Sequence, residues 1–450
     1  MKRLIVTIKP AILNGLLKRR SALLTLSLFH SFTLSLFGQS LSDALRLAEQ
    51  NRPELKNGQL EVQIAGNAET KRRAQWLPQV NAGADLRWNT QIQRNIIPNA
   101  PFANGQDVVL RFGTPINNLL NVQAEQKIYD AQSRVSRALN RLGVESQQAA
   151  LEKRRIDVRQ QVTEAYYAAI YNREKQRLST RALERARGYL EQAQTRFGAG
   201  TLLKTDLDRF TLDLRNAELT QRNDQRDYAL SLDNLRYQMQ APEGYSAEPA
   251  DSLSQLFALF QQASPVVGQR IELRQEELSR QTNLLNGQRE QARLAPVVSA
   301  YGGYFLQQLH DTFNPFASGT WFPYNYVGVR LNVPIFDGRQ ARLNRQDYLL
   351  RSQINQNAIG RLRADFDYEI KSALNTLAQA RENLEQTRLN ITQAQDILAV
   401  DRVRFSAGTL LMADFRNSEY TLQQAETNYL RAIYDVLLGQ LQVQRAVGSL

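Results

Sequence analysis

The chain has 450 residues, a formal net charge of +12, two histidines and no cysteine. Without cysteine it has no disulfides, no thiolate metal sites and no cysteine to carry a lipid, and the distant His30 and His310 form no metal-binding cluster, so we expect no cofactor. Half of this net charge, +6, comes from residues 1–38, which contain no acidic residue. The other charges are of mixed sign, as on solvated helix faces, which argues against a nucleic-acid partner.

Residues 1–38 have the pattern of an export signal peptide. A basic stretch ends at Lys18-Arg19-Arg20, an uncharged apolar run covers residues 21–37, and small residues follow around Gly38 and Ser40. This order predicts cleavage after Gly38 or Ser40. The alternative is an uncleaved anchor, because the apolar run is near the lower length limit of a membrane span. No later segment is long and apolar enough to be a spanning helix, so any membrane-embedded part would consist of strands.

An internal duplication organises the rest of the chain. The twelve residues Arg196 to Leu207 recur as Arg404 to Phe415 at an offset of 208, with eight identities. Two further landmarks repeat in the same order, 77–80 as 295–298 and Ile128-Tyr129-Asp130 as Ile335-Phe336-Asp337. The sequence therefore predicts two tandem repeats. We place them at 39–240 and 253–450, joined by the proline-containing linker 241–252.

Each repeat reads as a helix, two strands separated by a polar loop, and two further helices. In the first repeat we predict a helix at 42–76, strands at about 78–93 and 118–129, and long helices at 131–197 and 205–239. In the second we predict a helix at 253–293, strands at about 296–309 and 325–336, and long helices at 339–405 and 413–447. The long helices lack internal proline, and their apolar residues recur every three or four positions, as in coiled coils. A helix of 67 residues would be roughly 100 Å long. By themselves, these helices also fit a simple coiled-coil rod.

The strands favour a membrane protein over such a rod. From Val80 to Ile92, apolar and polar residues alternate, and 327–333 repeats the pattern. Strands of membrane β-barrels alternate in this way, with apolar residues toward lipid and polar residues toward the lumen. The segment 297–309 alternates poorly, and a soluble sheet with one wet face is the alternative. The export signal favours the membrane, as does a predicted interfacial aromatic girdle formed by Trp321, Phe322, Tyr324 and Tyr326.

Four strands cannot close a barrel, and open sheet edges are not tolerated in lipid. The barrel would therefore have to be completed by other copies of the chain, in a number that this argument leaves open. The predicted fold is mainly α-helical with a membrane β-barrel part.

These features resemble the TolC family of outer-membrane efflux proteins. The resemblance rests on the duplicated strand-loop-strand-helix order, the repeated Arg-Phe-x-x-Gly-Thr-x-x-x-x-Asp element and the junction Pro334-Ile335-Phe336-Asp337-Gly338. It implies a homotrimer with a twelve-strand β-barrel, continued by an α-helical barrel across the periplasm. It also implies a passive exit duct, not an enzyme, that works with an inner-membrane pump and a periplasmic adaptor in efflux or type I secretion. The expected location is the outer membrane, in contact with its lipid.

The resemblance also assigns roles to the repeated element at the two helical tips. Adaptor docking is implied for its first half, Arg196, Phe197, Gly200, Thr201, Arg404, Phe405, Gly408 and Thr409. A periplasmic gate is implied for Asp206 and Asp414, together with the positions three residues further on, Arg209 and Asn417. The family archetype has an acid at the position of Asn417 and a basic residue that latches the closed gate at the position of Leu410. Because this chain differs at both positions, the residues that would latch its closed gate are not assigned.

Structural roles compete with these functional ones. The aspartates could simply be first-turn acids favoured by the helix dipole, and the glycines could serve only the turn. If the acids surround one constriction, we expect a cation-preferring mouth, with Arg209 pairing with Asp206 one helical turn away. For the whole chain, the alternative to a duct is a non-pore periplasmic coiled-coil tether or adaptor, which the strand alternation disfavours. The exported substrate cannot be read from the sequence.

Overall fold

A computed structural model of the chain describes residues 39–450 apart from 254, 258–267, 315, 317 and 318. The predicted export signal at 1–38 lies outside the described residues. The helices of the described part are α1 (Leu41–Asn51), α2 (Pro53–Ala74), α3 (Ala131–Gly198), α4 (Lys204–Met239), α5 (Ile271–Ala292), α6 (Gln340–Ser406) and α7 (Met412–Val447). The strands are β1 (Gln79–Trp88), β2 (Arg94–Ala100), β3 (Gln106–Arg111), β4 (Ile116–Asp130), β5 (Val297–His310) and β6 (Trp321–Asn332).

Two long antiparallel helical hairpins make up most of the chain. The helix α3 has 68 residues and packs along α4, and the 67-residue α6 packs along α7. Asp130 caps the start of α3, where its carboxylate accepts a hydrogen bond from the backbone N–H of Gln132 at 3.0 Å. Asp337 lies three residues before α6, whose N-cap position is Arg339, and it accepts from the N–H of Ala341 at 2.8 Å. Each strand-to-helix junction thus ends in an acid that satisfies a free N–H of the first turn. Within the described residues, no helix is both long and apolar enough to cross a membrane.

The main sheet has the strand order β1-β4-β5-β6, with every pair antiparallel. Its central pair joins the two halves of the chain, with Leu120 of β4 opposite Leu306 of β5. No strand of the described part pairs with the outer edge of β1 or of β6. A separate hairpin of β2 and β3 extends beyond the sheet. The predicted strands of the two repeats therefore form one four-stranded sheet with two open edges.

The helical middle of the chain has the largest buried cluster. Tyr166 and Tyr167 of α3 are almost completely buried there, together with Leu235 of α4 and Leu437 of α7. The Tyr166 hydroxyl lies 2.6 Å from both the carbonyl oxygen of Gln39 and a carboxylate oxygen of Asp251. The hydroxyl has one proton, so it donates to one of these two acceptors at a time and holds the start of the described chain close to the end of the predicted linker.

Several elements differ from the sequence prediction. The helix predicted at 42–76 is two helices that meet at Arg52, because Pro53 lacks a backbone N–H and starts a new helix. The helix predicted at 253–293 is interrupted, since residues 268–270 are not helical. The last strand lies at 321–332 instead of 325–336, and the hairpin at 94–111 was not predicted. The division into a signal peptide, two repeats and a linker stays a prediction.

Candidate functional site

The two helical tips have the same hydrogen-bonded turn. At the first tip, Gly200 has φ +73° and its N–H bonds to the Phe197 carbonyl at 2.9 Å, while the Thr201 N–H bonds to the Arg196 carbonyl at 2.9 Å. At the second tip, Gly408 has φ +75° and the corresponding two bonds measure 3.1 and 2.9 Å. This is a Schellman motif, in which glycine takes the left-handed position that other residues adopt only with strain. The backbone of the turn therefore explains both glycines.

The threonine after each glycine also has a structural role. The Thr201 hydroxyl donates to the Arg196 carbonyl at 3.0 Å, and the Thr409 hydroxyl donates to the Arg404 carbonyl at 3.0 Å. Each threonine thus gives two donors to one carbonyl at the end of a long helix. Both threonines are exposed, so the repeated turn presents its outer surface to solvent.

The tips contact each other through Arg196 and Phe405. The Arg196 guanidinium lies 4.7 Å from the centre of the Phe405 ring and donates to the carbonyls of Phe405 and Ser406 at 3.2 and 3.3 Å. The Phe405 ring is stacked on Phe415, with ring centres 4.5 Å apart. Phe405 is only 7% exposed, whereas its repeat equivalent, Phe197, is 42% exposed. The two copies of the predicted docking element therefore have different surroundings within one chain.

Asp206 lies in the first turn of α4, where it pairs with Arg209. A guanidinium nitrogen of Arg209 lies 3.1 Å from the Asp206 carboxylate, as expected for residues one turn apart. Asp414 has the equivalent position in α7, and its side chain forms no ion pair within 4 Å in the described part of the chain. The two aspartates of the predicted gate thus differ: the one in the first repeat is paired, and the one in the second is exposed and forms no ion pair within the described part of the chain.

Asn417 and Arg209 line the same groove, which has a volume of about 750 Å³ between α3, α4 and α7. The groove also contains Asp213 and Arg416, whose side chains form a two-pronged ion pair with both N···O distances at 2.5 Å. This pair connects the first turns of α7 to α4. The hydrogen bond to Asp213 is the main cause that raises the pKa of Arg416 above its ordinary value.

A second polar cluster lies at Glu419 in the same groove. Its carboxylate accepts a hydrogen bond from the Tyr189 hydroxyl and lies 3.3 Å from Arg185 and 3.5 Å from Arg402. Burial, and then the hydrogen bond to Glu419, raise the pKa of Tyr189 to about 12. Helices α3, α6 and α7 are thereby connected just above the tips.

These two polar clusters were missed by the sequence analysis. That analysis compared the repeats for identities, whereas the clusters consist of positions at which the repeats differ. At an offset of 208, Asp213 corresponds to Thr421 and Glu419 corresponds to Thr211. The partner residues also lie on different helices, 203 positions apart for Asp213 and Arg416 and 230 for Tyr189 and Glu419, so periodicity along one helix gives no sign of them.

Asp401, an irregularity in the apolar pattern of α6, is explained by the structure. Its carboxylate accepts a hydrogen bond from the Ser418 hydroxyl at 2.6 Å, and Arg404 lies 3.7 Å away. The corresponding residue of the first repeat is Ala193, which is 2% exposed. The second hairpin therefore has a partly buried polar contact where the first has apolar packing.

The sheet has one apolar and one polar face. The strand register places Val80, Leu86, Val122, Val327 and Leu331 on one face, and each of them is between 49% and 91% exposed. Charged residues lie on the other face, where Arg87 pairs with Asp85, and Arg330 lies 3.8 Å from Glu125. A contiguous exposed apolar face of this size is unusual for a soluble monomer and marks a surface for lipid or protein.

The predicted aromatic girdle is split between the two faces. Alternation along β6 places Trp321 on the apolar face and Phe322, Tyr324 and Tyr326 on the polar one. On the polar face the Phe305 ring is stacked with Tyr324 and Tyr326 at centre distances of 4.8 and 5.0 Å. The expectation of a single interfacial girdle was therefore wrong, because neighbours in a strand point to opposite faces.

Comparison with known proteins finds a family match in the first half of the chain and similar solved structures over most of it. A family model described as outer membrane efflux protein matches residues 44–239, which lie in the first predicted repeat. No curated protein matches the chain. Among the described residues, no group of three or more histidine and acidic side chains could hold a metal ion.

Similar solved structures cover nearly the whole chain. The Campylobacter jejuni CmeC outer membrane channel has 14% identity and a TM-score of 0.68, over 91% of this chain and 85% of that one. The Neisseria gonorrhoeae MtrE outer membrane channel has 16% identity and a TM-score of 0.65, over 91% and 88%. The VceC outer membrane protein of Vibrio cholerae has 14% identity and a TM-score of 0.64, over 91% and 96%. At these identities the likeness establishes the fold, and it extends to the second half of the chain, which the family model does not reach.

Proposed function

We propose that the chain is a TolC-like member of the outer membrane efflux protein family and a passive conduit gated at its periplasmic helix tips, a proposal supported by the family match to residues 44–239 and by the shared fold. It is an outer-membrane protein with a periplasmic helical extension and serves as a subunit of the exit duct of an efflux system. This role requires no chemical catalysis, in agreement with the family.

The exposed apolar face of the sheet is the observation that supports the membrane role most strongly. The four strands have 10, 15, 14 and 12 residues, and about 9 to 11 residues suffice for a tilted strand to cross the hydrocarbon core. In lipid, the open edges of β1 and β6 must be paired. Three copies would provide twelve strands and close the barrel with the polar face inward. Each helical hairpin, roughly 100 Å long, would then extend the duct across the periplasm.

The glycine turns are the proposed contacts for a periplasmic adaptor that connects the duct to an inner-membrane pump. A Cβ atom added to either Gly200 or Gly408 would meet nothing within 4 Å, so both turns are free at the surface. Because the threonine hydroxyls stabilise the turns, added bulk at Thr201 or Thr409 would disturb the fold as well as docking. Tryptophan at the neighbouring exposed Ala199 and Ala407 is a cleaner test.

We expect the Ala199→Trp/Ala407→Trp variant to lose export while its oligomeric mass is unchanged. Thr201→Val/Thr409→Val is the matched control, because it removes only the hydroxyl hydrogen bonds and keeps side-chain size. Export that survives both tryptophans would refute tip docking.

For the gate, we propose that Asp206 and Asp414 surround the periplasmic mouth, with Arg209 and Asn417 one turn further in. Three copies would bring six carboxylates to this mouth, but the three Asp206 side chains are paired with Arg209. The three unpaired Asp414 side chains should therefore contribute most of the attraction for cations.

The trimer itself is tested by mass. In mild detergent, the purified mature protein should have about three times the subunit mass, and it should fractionate with the outer membrane and need detergent for extraction. A monomer that washes off the membrane would support the tether alternative and refute the duct.

A further inference from the structure

The two tips of one chain are joined by a contact between Arg196 and the end of α6. Arg196 of the first tip covers the ring of Phe405 and donates to two carbonyls at the end of α6. The Phe405 carbonyl also accepts from the Gly408 N–H, and both carbonyls lie at the negative end of the helix dipole, which favours a cation there. A guanidinium above an aromatic ring adds a cation–π attraction. The contact therefore satisfies both the arginine and the helix end.

The equivalent groups for a second such contact are present, and they do not contact each other within the described part of the chain. Arg404 corresponds to Arg196, Phe197 to Phe405, and Gly198 to Ser406. The Arg404 side chain is 55% exposed, with Asp401 at 3.7 Å as its ion-pair neighbour. The Phe197 ring is 42% exposed. Because a chain has only two tips, which already contact each other through Arg196, the second contact has to involve another copy.

The sheet has the same unfinished pattern at the opposite end of the molecule. Within the chain, the last strand of the first repeat, β4, pairs with the first strand of the second repeat, β5. The corresponding pair would be β6 of one copy with β1 of the next. At both ends of the molecule, the contact made within the chain joins a group of the first repeat to a group of the second repeat. The contact still to be made would join the second repeat of one copy to the first repeat of the next copy. Such head-to-tail contacts generate a ring when the rotation between successive copies closes.

We propose that, in the assembled oligomer, Arg404 stacks on Phe197 of the partner subunit and donates to the carbonyls of the partner's Phe197 and the partner's Gly198. The proposal rests on the assembly of several copies stated above and assigns the residues that join them at the tips. Every tip would then be held on both sides by the same type of arginine–phenylalanine contact, alternately within and between subunits.

The two kinds of seam would nevertheless differ in strength. Within a chain, Asp213 and Arg416 add a two-pronged ion pair, but the corresponding positions between subunits are Thr421 and Asp208, which cannot form one. The Glu419 cluster likewise has Thr211 at its equivalent position. Arg404 therefore provides a larger share of the polar contact at the subunit seam than Arg196 does inside the chain.

Paired cysteines test this assignment, because the chain contains no cysteine of its own. In Arg404→Cys/Gly198→Cys, a short bis-maleimide should link neighbouring subunits and give covalent dimers and trimers on denaturing gels. Arg404→Cys/Phe197→Cys tests the same seam at the ring position. The matched control, Arg196→Cys/Ser406→Cys, should give only internally linked monomers, since its two positions meet within one chain. Single-cysteine variants should give no ladder.

The detergent mass of each variant separates this proposal from the proposed function. An oligomer of the expected mass in which the control pair links but neither Arg404 pair forms dimers would overturn the assignment and leave the duct intact. A monomeric mass for the unmodified protein would overturn both. Covalent trimers from an Arg404 pair, with internal links only from the control, are the result expected.

Discussion

The ion pair between Asp213 and Arg416 should determine how firmly the two tips of one chain are held together. Replacing Asp213 with asparagine removes the charge and leaves a side chain of the same shape. The two hydrogen bonds from the Arg416 Nε and Nη2 atoms, both 2.5 Å long, would be reduced to at most one neutral bond. The change acts at a single contact between α4 and α7, so its effect should be local.

The exposure of the two side chains sets the magnitude. Arg416 is 33% and Asp213 32% exposed, so the loss should be well below the 3–5 kcal/mol of a broken buried pair. A good two-pronged surface pair contributes about 1 kcal/mol. At room temperature, about 1 kcal/mol corresponds to a roughly fivefold change in a local opening equilibrium.

Hydrogen exchange followed by mass spectrometry measures this opening. In Asp213→Asn, amides of residues 207–216 and 415–424 should exchange about fivefold faster, while peptides from β4 should not change. Asp208→Asn is the matched control, because Asp208 is on the same helix, is exposed and forms no ion pair within 4 Å in the described part of the chain. Equal acceleration in both variants, or none in either, would refute the local role of the pair.

Three further predictions concern the same tips. Gly200→Val should destabilise the first turn by about 1–2 kcal/mol because of its positive φ, seen as faster exchange at 199–203, whereas Gly198→Val, at a helical position with open space, should change it less. Burial and Glu419 raise the pKa of Tyr189 from 10.0 to about 12, so the fold favours the protonated phenol. The stability that this preference contributes is complete below pH 10 and is lost as the pH rises toward 12. The difference in phenolate absorbance between wild type and Tyr189→Phe should therefore titrate near pH 12, and a midpoint near 10 would contradict the cluster. In planar bilayers, Asp414→Asn should reduce cation preference and block by multivalent cations more than Asp206→Asn, and equal effects would mean that the pairing with Arg209 is irrelevant to conduction.

The features that were predictable from sequence depend on local chemistry or on the duplication. The long helices follow from uninterrupted stretches of good helix formers, and α3 starts and ends within a residue of the predicted bounds. The glycine turns follow from Gly200 and Gly408 after helix ends. The family resemblance found in the repeated tip element was confirmed by the match to residues 44–239.

The features that were not predictable depend on contacts between distant parts of the chain. Asp213 and Arg416 are 203 residues apart, and nothing in either local sequence selects the partner. Trp321 lies on the opposite face of the sheet from Tyr324 and Tyr326. This assignment comes from the strand register, because a cluster of aromatic residues in the sequence does not show which face each ring occupies. The break at Arg52 was visible in advance, since Pro53 is typical of a first helical position, and was read as helix interior.

The central claim, that copies of this chain form a gated conduit through the outer membrane, is tested most directly by single-channel recording of the purified oligomer in planar bilayers. The account predicts discrete conductance steps from inserted oligomers and a preference for cations. Oligomers that insert into the bilayer and give no conductance under any applied voltage would contradict it.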